Sequence, residues 1–107
     1  MKKIYFLILA ISIANISFCQ ASELYISMFG EGTSNNKFIE LYNGTAADID
    51  LSQYSISTCS NGCDTTGEFD YPDNVTFEAG TILLAGDVYV IAHGTADPSI
   101  AADQTFI

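Results

Sequence analysis

Apolar and polar residues alternate along most of the chain with a period of two residues rather than 3.6. A period of two places successive side chains on opposite faces of a β-strand. In residues 37–42, for example, Ile39 and Leu41 lie on one face and Glu40 on the other. The pattern predicts strands over residues 24–29, 37–42, 53–58, 75–77, 81–84 and 88–92.

Turn-forming residues separate the predicted strands at intervals of roughly 8 to 12 residues, which is typical of an all-β sandwich. Residues 88–92 are apolar at every position, which predicts a central strand that is buried on both faces. Residues 98–103 favour a helical turn. No repeat or low-complexity linker interrupts these strands, so we expect them to form one domain.

The N-terminus has a different character. Two lysines precede an almost wholly apolar stretch, residues 4–18, and small or polar residues follow it. These features indicate a secretory signal peptide. The stretch is shorter than the ~20 residues that a membrane-spanning helix needs, so no transmembrane segment is expected after cleavage. We predict a signal peptide over residues 1–19, cleaved after Cys19 or after Ala21. A lipoprotein signal that acylates Cys19 is the alternative, and bulky Phe18 before the cysteine disfavours it.

A signal peptide implies a protein that is secreted, at the cell surface or in the periplasm, and it changes the charge balance. The chain has three basic residues and thirteen acidic ones. After cleavage at Cys19 only Lys37 remains basic, so the formal charge of residues 20–107 is 1 − 13 = −12. A surface that binds nucleic acid uses several Lys and Arg residues to displace counterions from phosphates. We therefore predict no direct nucleic-acid binding.

The cysteines also agree with export. Cys59 and Cys63 are separated by Ser-Asn-Gly, which favours a tight reversal of the chain. In an oxidising compartment this spacing predicts a disulfide bond between them. A redox-active pair is disfavoured because thioredoxin-like motifs have two intervening residues instead of three. A zinc site is disfavoured because only His93 could complete it.

Residues 64–73 form an acidic loop with four carboxylates in ten residues. Carboxylate oxygens are ligands that Ca²⁺ prefers, but their spacing does not match an EF-hand. Calcium binding is therefore a hypothesis beside the simpler interpretation of a solvated loop, and no other cofactor is predicted.

The candidate catalytic residues lack partners. No nucleophile accompanies His93 in a recognisable motif, and Glu40 has no second carboxylate placed for acid–base work. Glu40 is better interpreted as an outward-facing strand residue that pairs with Lys37. We predict no catalytic residue and no enzymatic activity within the chain.

Three blocks of the sequence resemble one family. SNNKFIELYN (residues 34–43), DLSQYSI (residues 50–56) and LAGDVYVI (residues 84–91) are similar to the lamin tail domain in its bacterial secreted form. The resemblance implies an immunoglobulin-like β-sandwich over residues 23–107, used as an accessory module of exported proteins and often found beside nucleases or phosphatases. It implies no shared active site.

The resemblance also implies further strands after residues 105–107, so we expect the domain to be incomplete. The strand at residues 88–92 would then lack a neighbour, and exposed strand edges would favour association. The favoured function is a non-catalytic binding or scaffolding module of an exported bacterial protein, with an unidentified protein or surface ligand as its partner. The alternative is the leading part of a secreted hydrolase, a nuclease or phosphatase, whose catalytic domain lies beyond Ile107.

Overall fold

The computed structural model describes residues 21–106. Over this part of the chain almost all regular structure is β-strand, with one short 3₁₀ helix at Leu51–Gln53. The strands are β1 (Tyr25–Glu31), β2 (Lys37–Tyr42), β3 (Ile49–Asp50), β4 (Ser55–Thr58), β5 (Tyr71–Thr76), β6 (Ile82–Leu83), β7 (Val88–His93) and β8 (Gln104–Phe106). The signal peptide predicted over residues 1–19 lies outside the described residues.

The larger layer of the fold is a four-stranded sheet with the order β1-β2-β7-β8. β1 runs antiparallel to β2, and β2 antiparallel to β7, whereas β8 lies parallel to β7. The prediction that β7 is a central strand is confirmed, since Ile91 and Ala92 are both buried. The prediction that this strand lacks a neighbour is wrong, because β8 pairs with residues 91–93 along its second edge.

The opposite layer consists of two short antiparallel pairs, β3 with β6 and β4 with β5. Apolar side chains from both layers meet between them, and each buried one contributes about 2 kcal/mol by leaving water. The predicted all-β sandwich is confirmed. The buried core residues are Leu41, Leu51, Val75, Phe77, Leu83 and Ile91.

Two local differences from the predicted strands have clear causes. The strand predicted at residues 53–58 begins later, because the Asp50 carboxylate accepts hydrogen bonds from the backbone N–H and the hydroxyl of Ser52. This side-chain cap ends β3 and starts the 3₁₀ helix. β5 begins at Tyr71, inside the predicted loop, and includes Pro72, which is tolerated where a strand has a free edge.

The region predicted as a helical turn folds as non-helical turns that lead into β8. The backbone N–H of Asp103 donates to the Val90 carbonyl at 2.8 Å, and the Asp103 carboxylate accepts from the Val90 N–H at 2.8 Å. Asp103 alone therefore forms the two hydrogen bonds with the Val90 backbone that a neighbouring strand would form. β8 takes over this role from Ile91 onward.

Candidate binding surface

β1 forms one edge of the four-stranded sheet and carries a series of exposed apolar side chains. We call this series the β1 apolar row. Large apolar side chains that are exposed next to one another on a surface are a feature of interaction sites. The row consists of Tyr25, Ile26, Met28 and Phe29, with 47%, 54%, 51% and 63% of their surface exposed.

The register between β1 and β2 divides the row between two faces of the sheet. Ile26 lies opposite Leu41, whose side chain belongs to the core, so Ile26 is on the inner face. Met28 lies opposite Glu40 and is on the outer face. A bulge at Ser27 separates the two, and the Ser27 hydroxyl donates to the Glu40 carboxylate at 2.8 Å. Ile26 therefore faces the interior of the sandwich, although half of it is exposed.

A groove of about 250 Å³ explains this exposure. It lies between β1 and β4, and Leu41 and Phe77 from the core contribute to its lining. None of its lining side chains is charged. We call it the β1–β4 groove, and it is lined by Leu24, Tyr25, Ile26, Leu41, Tyr54, Ser55, Ile56, Ser57 and Phe77.

A second, larger cavity of about 580 Å³ has a polar character. Tyr89 lies in its wall, where its ring packs edge-on against Phe77 and its hydroxyl donates to Gln104 Oε1 at 3.2 Å. Partial burial, followed by the nearby carboxylates of Asp103 and Glu78, raises the pKa of Tyr89. Both of these carboxylates line the cavity together with the Tyr89 side chain.

The structure joins Cys59 and Cys63 in the predicted disulfide, with their Cα atoms 4.8 Å apart. In the acidic loop that follows, the Asp70 carboxylate accepts hydrogen bonds from the backbone N–H groups of Ser60 and Asp64, at 3.0 and 2.8 Å. One of the four loop carboxylates therefore connects the loop to the disulfide turn by hydrogen bonds. No three His, Cys, Asp or Glu side chains within residues 21–106 are grouped to hold a metal ion, and calcium binding stays a hypothesis.

The structure gives the candidate catalytic residues other roles. His93 packs edge-on against Phe106, and its Nδ1 accepts a hydrogen bond from the Thr95 backbone N–H at 3.2 Å. Lys37 donates to Glu31 at 2.9 Å, so the predicted pairing of Lys37 with Glu40 is wrong. The reason is the strand register, which places Glu31 directly opposite Lys37.

Comparison with known proteins decides the family. The profile of the Lamin Tail Domain family matches residues 19–106, which include every strand of the sandwich. The chain belongs to the lamin tail domain family. No curated protein and no solved structure gives a significant match. The lamin tail domain is an immunoglobulin-like module, so the predicted immunoglobulin-like sandwich is confirmed.

Membership of the family is compatible with a non-catalytic domain. The site residues that the sequence could not reveal are those of the β1–β4 groove. Ile26 and Tyr54 look like ordinary strand residues in the alternating pattern, and only the fold shows that neither is covered. Within residues 21–106 no helix is long and apolar enough to cross a membrane.

Proposed function

We propose that this lamin tail domain is a non-catalytic, protein-binding or scaffolding module of an exported bacterial protein. The observation that carries the proposal is the β1 apolar row, in which neighbouring large side chains are about half exposed on a sheet edge. Exposed apolar surface is costly in a free domain, because its contact with water is unfavourable. A partner that covers the row recovers this free energy.

The charge of the domain supports a protein partner over a nucleic acid. Lys37 is the only Lys or Arg within residues 21–106, and it is paired with Glu31. Binding to phosphates requires several free basic side chains. A partner that contacts this domain through apolar side chains, or through Lys and Arg of its own, is favoured instead.

The disulfide supports export. Cys59 and Cys63 are bonded across a tight turn, and such bonds persist mainly in oxidising compartments outside the cytosol. Secretion, cell-surface display and residence in the periplasm are all consistent with this chemistry. The alternative function, the leading part of a hydrolase, concerns residues beyond Ile107 and stays a prediction.

Site-specific photocrosslinking in the producing bacterium tests the proposal. A photoreactive amino acid replaces Met28 in the β1 apolar row, and in a control it replaces Glu68 in the exposed acidic loop. We expect the probe at residue 28 to give a discrete protein adduct in the exported fraction, and the probe at residue 68 to give none. The purified partner should then bind the purified domain directly, with weaker affinity for the Met28→Ser variant.

Enzyme assays test the part of the proposal that says the domain is non-catalytic. The purified domain should hydrolyse neither a phosphodiester nor a phosphomonoester above the buffer blank, with or without divalent cations. Turnover that follows the domain through purification would refute the proposal, as would the absence of any adduct at residue 28.

A further inference from the structure

We infer that the β1–β4 groove binds an extended strand of a partner protein, in which apolar and polar residues alternate and the ends carry lysine or arginine. The inference rests on the proposed function and deepens it, because it names the site and the chemistry of the partner. Three properties of the groove support it: its strand edges, its exposed inner-face side chains and its charge.

Two strands with free edges border the groove. Within the described part of the chain β1 pairs only with β2, and β4 pairs only with β5, so each strand has one edge without a neighbour. Both strands contribute residues to the lining of the same groove. The backbone N–H and C=O groups of a free edge accept an additional strand through ladder hydrogen bonds. An extended peptide in the groove would therefore find main-chain partners along its wall.

The side chains in the groove match the apolar face of a strand. Ile26 is 54% exposed, although its neighbour across the sheet, Leu41, is 4% exposed. Tyr54 on the opposite wall is 37% exposed. Since successive side chains of a strand point to opposite faces, a segment with alternating apolar residues would bury one set against these walls and leave the other set in water. A uniformly polar segment would not cover Ile26.

Charge distinguishes a partner strand from a second copy of the domain. Residues 21–106 contain thirteen acidic side chains and one basic one, and the groove lining itself is uncharged. Two copies that met at this groove would bring together two domains with a strongly negative net charge, which is unfavourable. A strand with Lys or Arg at its ends would keep its apolar centre in the uncharged groove, and its basic ends would be attracted by the negative net charge of the domain, including Asp73, whose carboxylate accepts a hydrogen bond from the lining residue Ser55.

Binding of a synthetic peptide tests the inference. The probe is a fluorescent strand peptide in which valine and threonine alternate and lysines stand at both ends. Its affinity for the purified domain is measured by fluorescence anisotropy. We expect Ile26→Ser to weaken binding about tenfold, because the peptide no longer buries an apolar side chain there. Ile82→Ser is the matched control, since Ile82 is 49% exposed but lies on β6, outside the lining of the groove, and it should change affinity less than about twofold.

Three further measurements sharpen the test. Tyr54→Ser changes the opposite wall of the groove and should also weaken binding, which guards against an effect of Ile26→Ser on folding. A peptide with N-methylated backbone amides should bind much more weakly, because it lacks the N–H donors of the ladder hydrogen bonds. A peptide with glutamates at its ends should bind more weakly than the lysine peptide, and the difference should shrink as salt is added.

Several results would overturn the inference. One is failure of the lysine peptide to bind, and another is equal binding by the Ile26→Ser and Tyr54→Ser variants. A domain that sediments as a dimer and is dissociated by Ile26→Ser would assign the groove to a second copy. In each case the proposed function would survive if the probe at residue 28 still captured a protein partner, so the two failures are distinguishable.

Discussion

The Asn43 side chain donates a hydrogen bond from Nδ2 to the backbone carbonyl of Leu83, 3.0 Å away, and Asn43 has no exposed surface. The same Nδ2 donates to the Ala47 carbonyl at 2.8 Å, and Oδ1 accepts from the Thr45 backbone N–H at 3.0 Å. One amide therefore connects the end of β2, the loop that follows it and β6 in the opposite layer. The Asn43 side chain therefore links the two layers by direct hydrogen bonds at this end of the sandwich.

The substitution Asn43→Asp should strongly destabilise the fold. A carboxylate of the same shape cannot donate, so the Leu83 and Ala47 carbonyls would lose their donor and a charge would be buried. We expect a loss of about 3 kcal/mol or more at neutral pH, measured by urea denaturation. Asn61→Asp is the matched control, since it changes the same atoms on an exposed turn residue with a positive φ that Asp tolerates. Equal effects of the two variants would contradict the role of Asn43.

Local pattern was sufficient to predict some elements of this sandwich. β2 was predicted with the observed bounds because Ile39 and Leu41 alternate with residues of the outer face. The family followed from three short blocks that keep their order along the chain. Properties that depend on one chain segment only were therefore accessible from the sequence.

Properties that depend on contacts between distant segments could not be predicted from the sequence. Asn43 directly follows a predicted strand, and its burial depends on β6, forty positions further along the chain. β8 is too short to show a pattern, and it forms through parallel pairing with β7. The β1–β4 groove exists because nothing within residues 21–106 covers Ile26, and alternation alone predicts which face a residue occupies but not whether that face is covered.

Removing the disulfide should cost a modest part of the stability. The bond between Cys59 and Cys63 closes a very short loop, and chain entropy then gives about 2 kcal/mol. We expect the double variant Cys59→Ser, Cys63→Ser to lose about this amount in urea denaturation under oxidising conditions. Dithiothreitol should lower the stability of the native chain to the same level and leave the double variant unchanged. A double variant that is as stable as the oxidised chain would show that the bond constrains only the loop.

Tyr89 should make the stability of the domain depend on alkaline pH. Burial and the carboxylates of Asp103 and Glu78 raise its pKa above the ordinary value of 10.0. In the unfolded chain the phenol loses its proton first, so its contribution to stability is complete below about pH 10 and is lost as the pH rises through the folded-state pKa. The variant Tyr89→Phe should therefore show a shallower fall in melting temperature above pH 10 than the native chain.

The neighbouring charges provide the control for this titration. Glu78→Gln removes one carboxylate that raises the Tyr89 pKa, and Asp103→Asn removes the other. Each should lower the pH at which Tyr89 ionises, with the larger change for Asp103, as followed by tyrosinate absorbance. Asp64→Asn removes a charge in the acidic loop, outside the lining of the cavity that contains Tyr89. This variant should not change the pH at which Tyr89 ionises. A titration that responds equally to all three variants would indicate a general effect of net charge.

Gly30 and Phe38 lie opposite each other in the β1–β2 register, and the Phe38 ring occupies the space where a side chain at residue 30 would begin. Gly30 has no positive φ, so the backbone itself would accept alanine. We expect Gly30→Ala to push the ring aside and to cost about 1 to 3 kcal/mol. In a Phe38→Ala background the same change should be neutral or stabilising, because alanine restricts the unfolded chain more than glycine does. Urea denaturation of the native chain, the two single variants and the double variant gives the coupling energy between residues 30 and 38. If the two substitutions have strictly additive effects on the free energy of unfolding, the Phe38 ring does not clash with a side chain at residue 30.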